Sequence, residues 1–371
     1  MNPGTEGPAR QIWACHTSAH LAVKSHWVIG LLATLGVGSV PVFPSKTDRG
    51  TMAFQTLLGP PKTHLAWNPG NPRNRLAYTV YNLTLQRAAP ETYEQIGSKP
   101  KFWFVEGDDS RRSLFKFGRP GTDEVSAEKA AAEIAELMGL PHATIELAIF
   151  TDRLGTISPS FVDKSKGEDL IHGNEILSGR RSGYEKEKVR GQSEHRLDLI
   201  LEAISELVQP EQRDGELGLF AGYLVLDALI CNTDRHHENW GLIRRVGPDG
   251  SAAHTLAPTY DHASSLGREL LDERRQEILS GNRIEAYIRK GRGGIFLDSS
   301  GKKGENPLEL VEKAFVTNPA IYRPWLEKLA SLEKQAFSNI IGELPGMSPV
   351  AKSFCAALLD TTKSALGRLL V

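Results

Sequence analysis

The sequence predicts an α+β fold of two lobes, a small β-rich lobe followed by a mainly helical one. Three observations predict it. Short aromatic and aliphatic runs separated by polar turns fill the region from Leu76 to Val162, with a single helix among them. Apolar residues then recur at helical spacing through 215–231, and the pattern after residue 266 is mostly helical to the end. Strands first and helices afterwards are the signature of an α+β arrangement.

The elements follow in order. Residues 52–90 are rich in Pro and Asn and read as loop, apart from a short strand near Leu76–Leu83. Lys101-Phe-Trp-Phe-Val105 and Ser113-Leu-Phe-Lys-Phe117 flank the polar stretch Gly107-Asp108-Asp109-Ser110, which predicts a β-hairpin. Ser126 to Leu140 reads as a helix. Ser126 is its expected cap, Glu128 favours the positive N-terminal end, and Gly139 with Pro141 stops it. Strands are expected over Thr144–Phe150 and about Thr156–Val162. Residues 173–196 hold ten charged residues in 24 and read as a solvated, mobile insert. A buried helix over 215–231 precedes the polar loop Asn232–Asn239. A strand at Trp240–Arg244, a turn at 247–250 and a strand ending in Tyr260-Asp261 follow. A loop rich in Gly and Lys interrupts the helical region at 291–304.

Composition bounds the function classes. The 371 residues carry 44 Lys and Arg against 45 Asp and Glu, which argues against a direct nucleic-acid partner bound by bulk positive charge. The three cysteines, Cys15, Cys231 and Cys355, have no CxxC spacing, so neither a disulfide framework nor a zinc knuckle is expected. A reducing, cytoplasmic setting fits that usage. Residues 1–75 read as a poorly structured leader, with Met52 as an alternative true start. The domain expectation is then an N-lobe over 76–150 and a C-lobe over 151–371. The uncharged run Trp27–Phe43 is too short and too broken by Gly and Pro for a comfortable membrane span.

The sharpest chemical signal is Cys231-Asn232-Thr233-Asp234-Arg235-His236-His237-Glu238-Asn239. Asp234 and Asn239 stand five apart, the spacing at which phosphotransferases place a catalytic carboxylate and a metal-binding amide. A carboxylate must orient the attacking hydroxyl and accept its proton. A neutral oxygen nearby must hold magnesium on the phosphates without adding negative charge. Asp261 lies where a second metal-binding carboxylate would sit. Upstream, Lys116 on a strand and Glu128 on the next helix form the expected clamp on the α- and β-phosphates. The histidines His236, His237, His254 and His262 lack the spacing of a zinc site, and His236 is expected to hydrogen-bond within the loop.

On these residues the chain resembles the HipA-like kinases, a family of bacterial Ser/Thr kinases. The resemblance rests on Ile230 to Asn239, on Leu256-Ala-Pro-Thr-Tyr-Asp261 and on the helix from Ser126 to Pro141, and spans roughly residues 92–330. It implies a two-lobed protein-kinase-like fold and an ATP- and Mg2+-dependent Ser/Thr kinase acting on a protein substrate. In that reading Asp234 is the catalytic base, Asn239 and Asp261 hold magnesium, and Lys116 with Glu128 grips ATP. Gln95-Ile-Gly-Ser-Lys-Pro100 falls where the family has its phosphate-binding loop. The resemblance therefore implies ATP contacts by Gly97, Ser98 and Lys99, and by analogy autophosphorylation at Ser98. That loop departs from the family pattern in having one Gly and a Pro, and the region before residue 90 lacks the family's usual N-terminal subdomain. An antitoxin-like partner is implied by the resemblance alone.

Two alternatives stand beside it. Phosphatidylinositol-type lipid kinases also carry an Asp-Arg-His…Asn loop, although the near-neutral charge argues against a membrane substrate. A pseudokinase that binds ATP without turnover would suit the sparse glycine loop, but not the intact Asp234, Asn239 and Asp261.

Overall fold

The computed structural model describes residues 78–83, 92–94, 100–105 and 111–371. The expected leader, Met52, the run Trp27–Phe43, and Gly97, Ser98 and Lys99 lie outside the described residues. The described residues belong to one unit, Pro69–Val371. No helix among them is long and apolar enough to cross a membrane.

Among the described residues the first part holds a six-stranded sheet. Its strands are β1 (Val80–Leu83), β2 (Thr92–Glu94), β3 (Lys101–Val105), β4 (Arg112–Phe117), β5 (Glu146–Phe150) and β6 (Arg153–Pro159), in spatial order β1-β5-β6-β4-β3-β2. Only β1 and β5 run parallel. The expected hairpin is β3 and β4, with Lys101 opposite Lys116. The two-residue period of a strand sends alternate side chains to opposite faces. Phe115 and Phe117 therefore enter an aromatic core with Phe102 and Phe150, while Lys116 between them faces the other way. Phe102 stands 4.8 Å from Phe150 and 5.3 Å from Phe115, ring centre to ring centre.

The helix α1 (Glu124–Met138) starts two residues earlier than expected, and Ser126 does not cap it. The capping position falls on Asp123, whose carboxylate is taken by Arg275, and Ser126 Oγ donates to Pro345 O instead. Gly139 ends the helix at φ +76, a conformation that favours glycine.

The second part holds a three-stranded antiparallel sheet of β7 (Glu168–His172), β8 (Gly241–Val246) and β9 (Ala252–Leu256). Around it are nine helices: α2 (Gly173–Arg180), α3 (Leu197–Leu207), α4 (Arg213–Ile230), α5 (Asp272–Ser280), α6 (Ile284–Lys290), α7 (Pro307–Thr317), α8 (Pro319–Ser331), α9 (Lys334–Glu343) and α10 (Pro349–Gly367). The long buried helix α4 is the axis, packed against α3, α7, α8 and α10. At Gly222 a Cβ would come within 2.7 Å of both Leu140 and the Trp325 indole, so α4 approaches its neighbours there as only glycine permits.

Two expectations change. The strand before Asp261 ends at Leu256. Residues beyond it are held by an isolated bridge between Thr259 and His142, with Thr259 N donating to Pro141 O and Ala143 N to Thr259 O. The segment 173–196 differs from a solvated insert: it opens with α2 and buries Ile176, Leu177, Tyr184 and His195.

His195 ties three parts of this region together. One ring nitrogen bonds Gly294 O at 2.8 Å and the other accepts from Trp240 Nε1 at 2.9 Å. Burial pushes its pKa down to about 3, so the folded protein keeps it neutral while the unfolded chain protonates it below about 6.5. The unfolded state then binds more protons as the pH falls. This contribution to stability is full above about pH 6.5 and is lost toward pH 3, at up to about 1.4 kcal/mol per pH unit. Urea unfolding between pH 7.5 and 5 should show a slope that includes this contribution, and His195→Gln should reduce it by up to about 1.4 kcal/mol per pH unit.

Candidate active site

The loop that follows α4 is shaped by a buried ion pair. Asp227 sits on the last turn of α4, and Arg235 stands eight residues on in the loop; both are almost fully buried. Arg235 Nε donates to Asp227 Oδ2 at 2.7 Å and Nη2 donates to Oδ1 at 2.8 Å, the two-pronged geometry of the strongest such pairs. Asn232 Nδ2 also donates to Asp227 Oδ1. Nη1 donates to Asn239 O, and the second Nη2 proton is shared between Thr259 Oγ1 and His262 Nε2, each 3.0 Å away. Burial opposes the Arg235 charge, but Asp227 more than offsets it and holds its pKa above the usual value. His262 is driven well below its ordinary value by burial and by the Arg235 charge, so it serves as a neutral acceptor.

Hung on that pair, the loop turns tightly. Cys231 leaves α4 in the left-handed region, at φ +54. Asp234 N donates to Asn232 Oδ1 at 3.1 Å, and Asn239 Nδ2 donates to Asp234 O at 2.8 Å. Asp234 and Asn239 are thereby locked to each other across the five-residue interval. Asp234 Oδ2 accepts from Ser264 Oγ at 3.1 Å and the residue stays half-buried. His236 Nδ1 accepts from Glu238 N, the expected bond within the loop.

Lys116 provides the other half of the site. Its Nζ lies 3.3 Å from Glu128 Oε1 and 3.3 Å from Asp261 Oδ1. Burial works against the ammonium charge, yet the two carboxylates outweigh it and raise its pKa. Lys116 is thus a fixed cation joining the six-stranded sheet, α1 and the Asp261 segment. Asp261 itself is at φ +59 and more exposed than its partners. The structure brings together Lys116, Glu128 and Asp261 by direct contact, and Asp234 and Asn239 through the loop.

Three groups in this site escaped the sequence reading. Asp227 and Arg235 form the buried pair; the visible signal was an aspartate inside the otherwise apolar run Leu224 to Ile230. The third is a tie at the start of α1. Buried Glu124 accepts from Arg119 at 3.3 Å and pairs with Arg268; Asp123 pairs with Arg275, and Asp123 N donates to Arg268 O at 2.9 Å. Arg268 and Arg275 both follow Asp261 closely in the chain. The helix that carries Glu128 is therefore pinned to the segment that carries Asp261.

The residues fit a nucleotide with its metal. Among the described residues no group of three or more His, Cys, Asp or Glu side chains could hold an ion. Asn239 donates to Asp234 O through Nδ2, and no hydrogen bond among the described residues uses its Oδ1. One neutral oxygen and one carboxylate, Asp261, suit magnesium, which is usually completed by phosphate oxygens and water rather than by a protein cage.

A β-rich part joined to a helical part, with a lysine–glutamate clamp facing an Asp…Asn loop, defines a protein-kinase-like fold. Residues 94–283 match the family model described as the HipA-like C-terminal domain, and the chain belongs to that family. It is 29% identical over 146 residues to the serine/threonine-protein kinase CtkA of Helicobacter pylori, a stretch covering 39% of this chain and 43% of that protein. The match thus spans less than half the length of that curated relative. The crystal structure of the H. pylori proinflammatory kinase CtkA superposes with a TM-score of 0.60 at 20% identity, covering 79% of this chain and 99% of the other. A HipA from Shewanella oneidensis, solved with HipB and operator DNA, gives a TM-score of 0.47 at 13% identity, covering 76% and 66%.

Arg235→Met leaves the Asp227 carboxylate buried without its partner. Removing one member of such a pair typically costs about 3–5 kcal/mol. Urea unfolding should show a loss of that size, and Asp227→Asn with Arg235→Met together should recover part of it.

Proposed function

We propose that this chain is an ATP- and magnesium-dependent protein kinase that phosphorylates Ser or Thr hydroxyls. The observation that carries the reading is Lys116 held between Glu128 and Asp261, beside a loop in which Asp234 and Asn239 are bonded together. When bound, ATP supplies the phosphoryl group and magnesium neutralises charge on its phosphates. Lys116, oriented by Glu128, presents a permanent positive charge to the α- and β-phosphates. Asn239 offers Oδ1 and Asp261 its carboxylate to the metal. Asp234 orients the acceptor hydroxyl and takes its proton as the hydroxyl oxygen bonds to phosphorus and ADP departs. Ser264 holds one Asp234 oxygen, which leaves the other for that proton. Gly97, Ser98 and Lys99 are assigned to the phosphate-binding loop by family resemblance, with Ser98 as an autophosphorylation site.

Transfer of labelled γ-phosphate in magnesium, read by intact mass, tests the assignment. Asp234→Ala, Asn239→Ala and Asp261→Ala should each lower the rate by at least about a hundredfold, in line with general-base and electrostatic contributions. Nucleotide binding should survive in Asp234→Ala. ATP binding by the wild type without any transfer would sink the kinase reading. Glu124→Gln should act more mildly, raising KM for ATP more than it lowers kcat, because it loosens α1 rather than touching the nucleotide.

A further inference from the structure

The loop between α6 and α7 was prominent in the sequence for its Gly and Lys content, and the function proposed above does not use it. It lies directly on the loop that carries Asp234. A Cβ on Gly294 would stand 2.7 Å from Arg235 O and 2.9 Å from His236 N, and one on Gly291 would stand 3.2 Å from Thr233 Cγ2. Glycine is what lets the two backbones run side by side. The loop is also held firmly in place. Gly293 N donates to Glu305 O and Glu305 N to Ile295 O, both at 2.7 Å, closing it into a narrow hairpin. Asn306 Nδ2 donates to Ile288 O and Gly291 O, and Gly294 O bonds His195.

The charge on this hairpin is one-sided. Lys290, Arg292, Lys302 and Lys303 are all exposed, and none forms an ion pair with a described carboxylate. Arg292 donates only to the backbone, to Arg289 O and Gly291 O. The neighbouring cations differ: Arg289 is matched in two-pronged fashion by Glu312, and Lys313 by Glu305. Asp298, the acidic residue at the hairpin tip, is turned onto Ser300. Against the one unpaired carboxylate of Asp298, a protein of formal net charge −1 thus places four cations on a hairpin that touches the residues on either side of Asp234. Local charge of this kind raises the concentration of an oppositely charged ligand and fixes its register.

We propose that this hairpin is the docking site for an acidic peptide. Asp or Glu side chains flanking the target hydroxyl meet Lys290 and Arg292, with Lys302 and Lys303 as an outer rim. The proposal rests on the kinase reading for its meaning, but its binding step can be measured without transfer.

The probes are two fluorescent peptides, identical except that Glu or Lys flanks a single central Ser, together with phosphatidylserine vesicles. The full chain is measured by anisotropy and by phosphate transfer, as wild type, as Lys290→Glu with Arg292→Glu, and as Lys302→Glu with Lys303→Glu. The last pair makes no hydrogen bond in the structure and keeps a charge-reversed protein folded for comparison. The wild type should bind the Glu peptide roughly tenfold more tightly than the Lys peptide, an advantage that fades in 0.5 M salt. Both reversals should remove or invert the preference, with KM for ATP unchanged. Equal binding of the two peptides, or a preference that both reversals leave intact, overturns the proposal. Vesicle binding that depends on the same residues and exceeds peptide binding overturns it in favour of an anionic lipid surface. Charge-selective binding without transfer upholds the docking site and sinks the kinase reading. Transfer to both peptides alike does the reverse.

Discussion

The buried pair of Asp227 and Arg235 is the interaction on which the rest of the site depends. Taking two charges out of water is costly, and such a pair is tolerated only when geometry and further hydrogen bonds compensate. Here nearly every donor of Arg235 is used, and the recipients lie on separate stretches of chain: α4, the loop at Asn239, and the segment of Thr259 and His262. One guanidinium therefore sets the distance between the end of α4, the backbone at Asn239 and the approach to Asp261. Hydrophobic contact alone would leave such a loop free to slide, because burial carries no direction. Charge-assisted hydrogen bonds do carry direction.

A second constraint operates at the junction between the six-stranded sheet and the helical part. Lys116 contacts a carboxylate from α1 and another from the Asp261 segment. Glu124 and Asp123, at the start of α1, are paired with Arg268 and Arg275 beyond Asp261. The two sets of ion pairs close a circuit through α1, so that the position of Glu128 is coupled to the position of Asp261. In this arrangement the clamp is closed. The charged hairpin against the Asp234 loop is supported differently, by glycine contacts and backbone hydrogen bonds. The Asp234 loop and the basic hairpin thus share one frame.

Much of this was legible along the chain, and the gaps have physical causes. The β3–β4 hairpin, α1 and α4 are visible because their hydrophobic periods are long and regular. Lys116, Glu128, Asp234, Asn239 and Asp261 can be singled out because phosphoryl transfer asks for those residue types in that chain order. Ser126 was misread as a cap: local preference favoured it, but tertiary pairing of Asp123 with Arg275 shifted the helix start. The strand before Asp261 was read too long because Pro258 to Tyr260 looks extended in sequence. Its pairing is a single bridge to His142, which periodicity cannot reveal. The charge density of 173–196 hid the few side chains, Tyr184 and His195 among them, that anchor it.

The sequence by itself determined the α+β class, the identity of the chemical groups and the loop that carries two of them, because these follow from periodicity and residue type within short windows. Only the tertiary structure decided that Asp227 meets Arg235, that Glu124 meets Arg268, and that a basic hairpin 55 to 70 residues downstream lies against the loop that carries Asp234. Those pairings join residues far apart in the chain. Their energies come from desolvation and distance, and neither exists until the chain has folded.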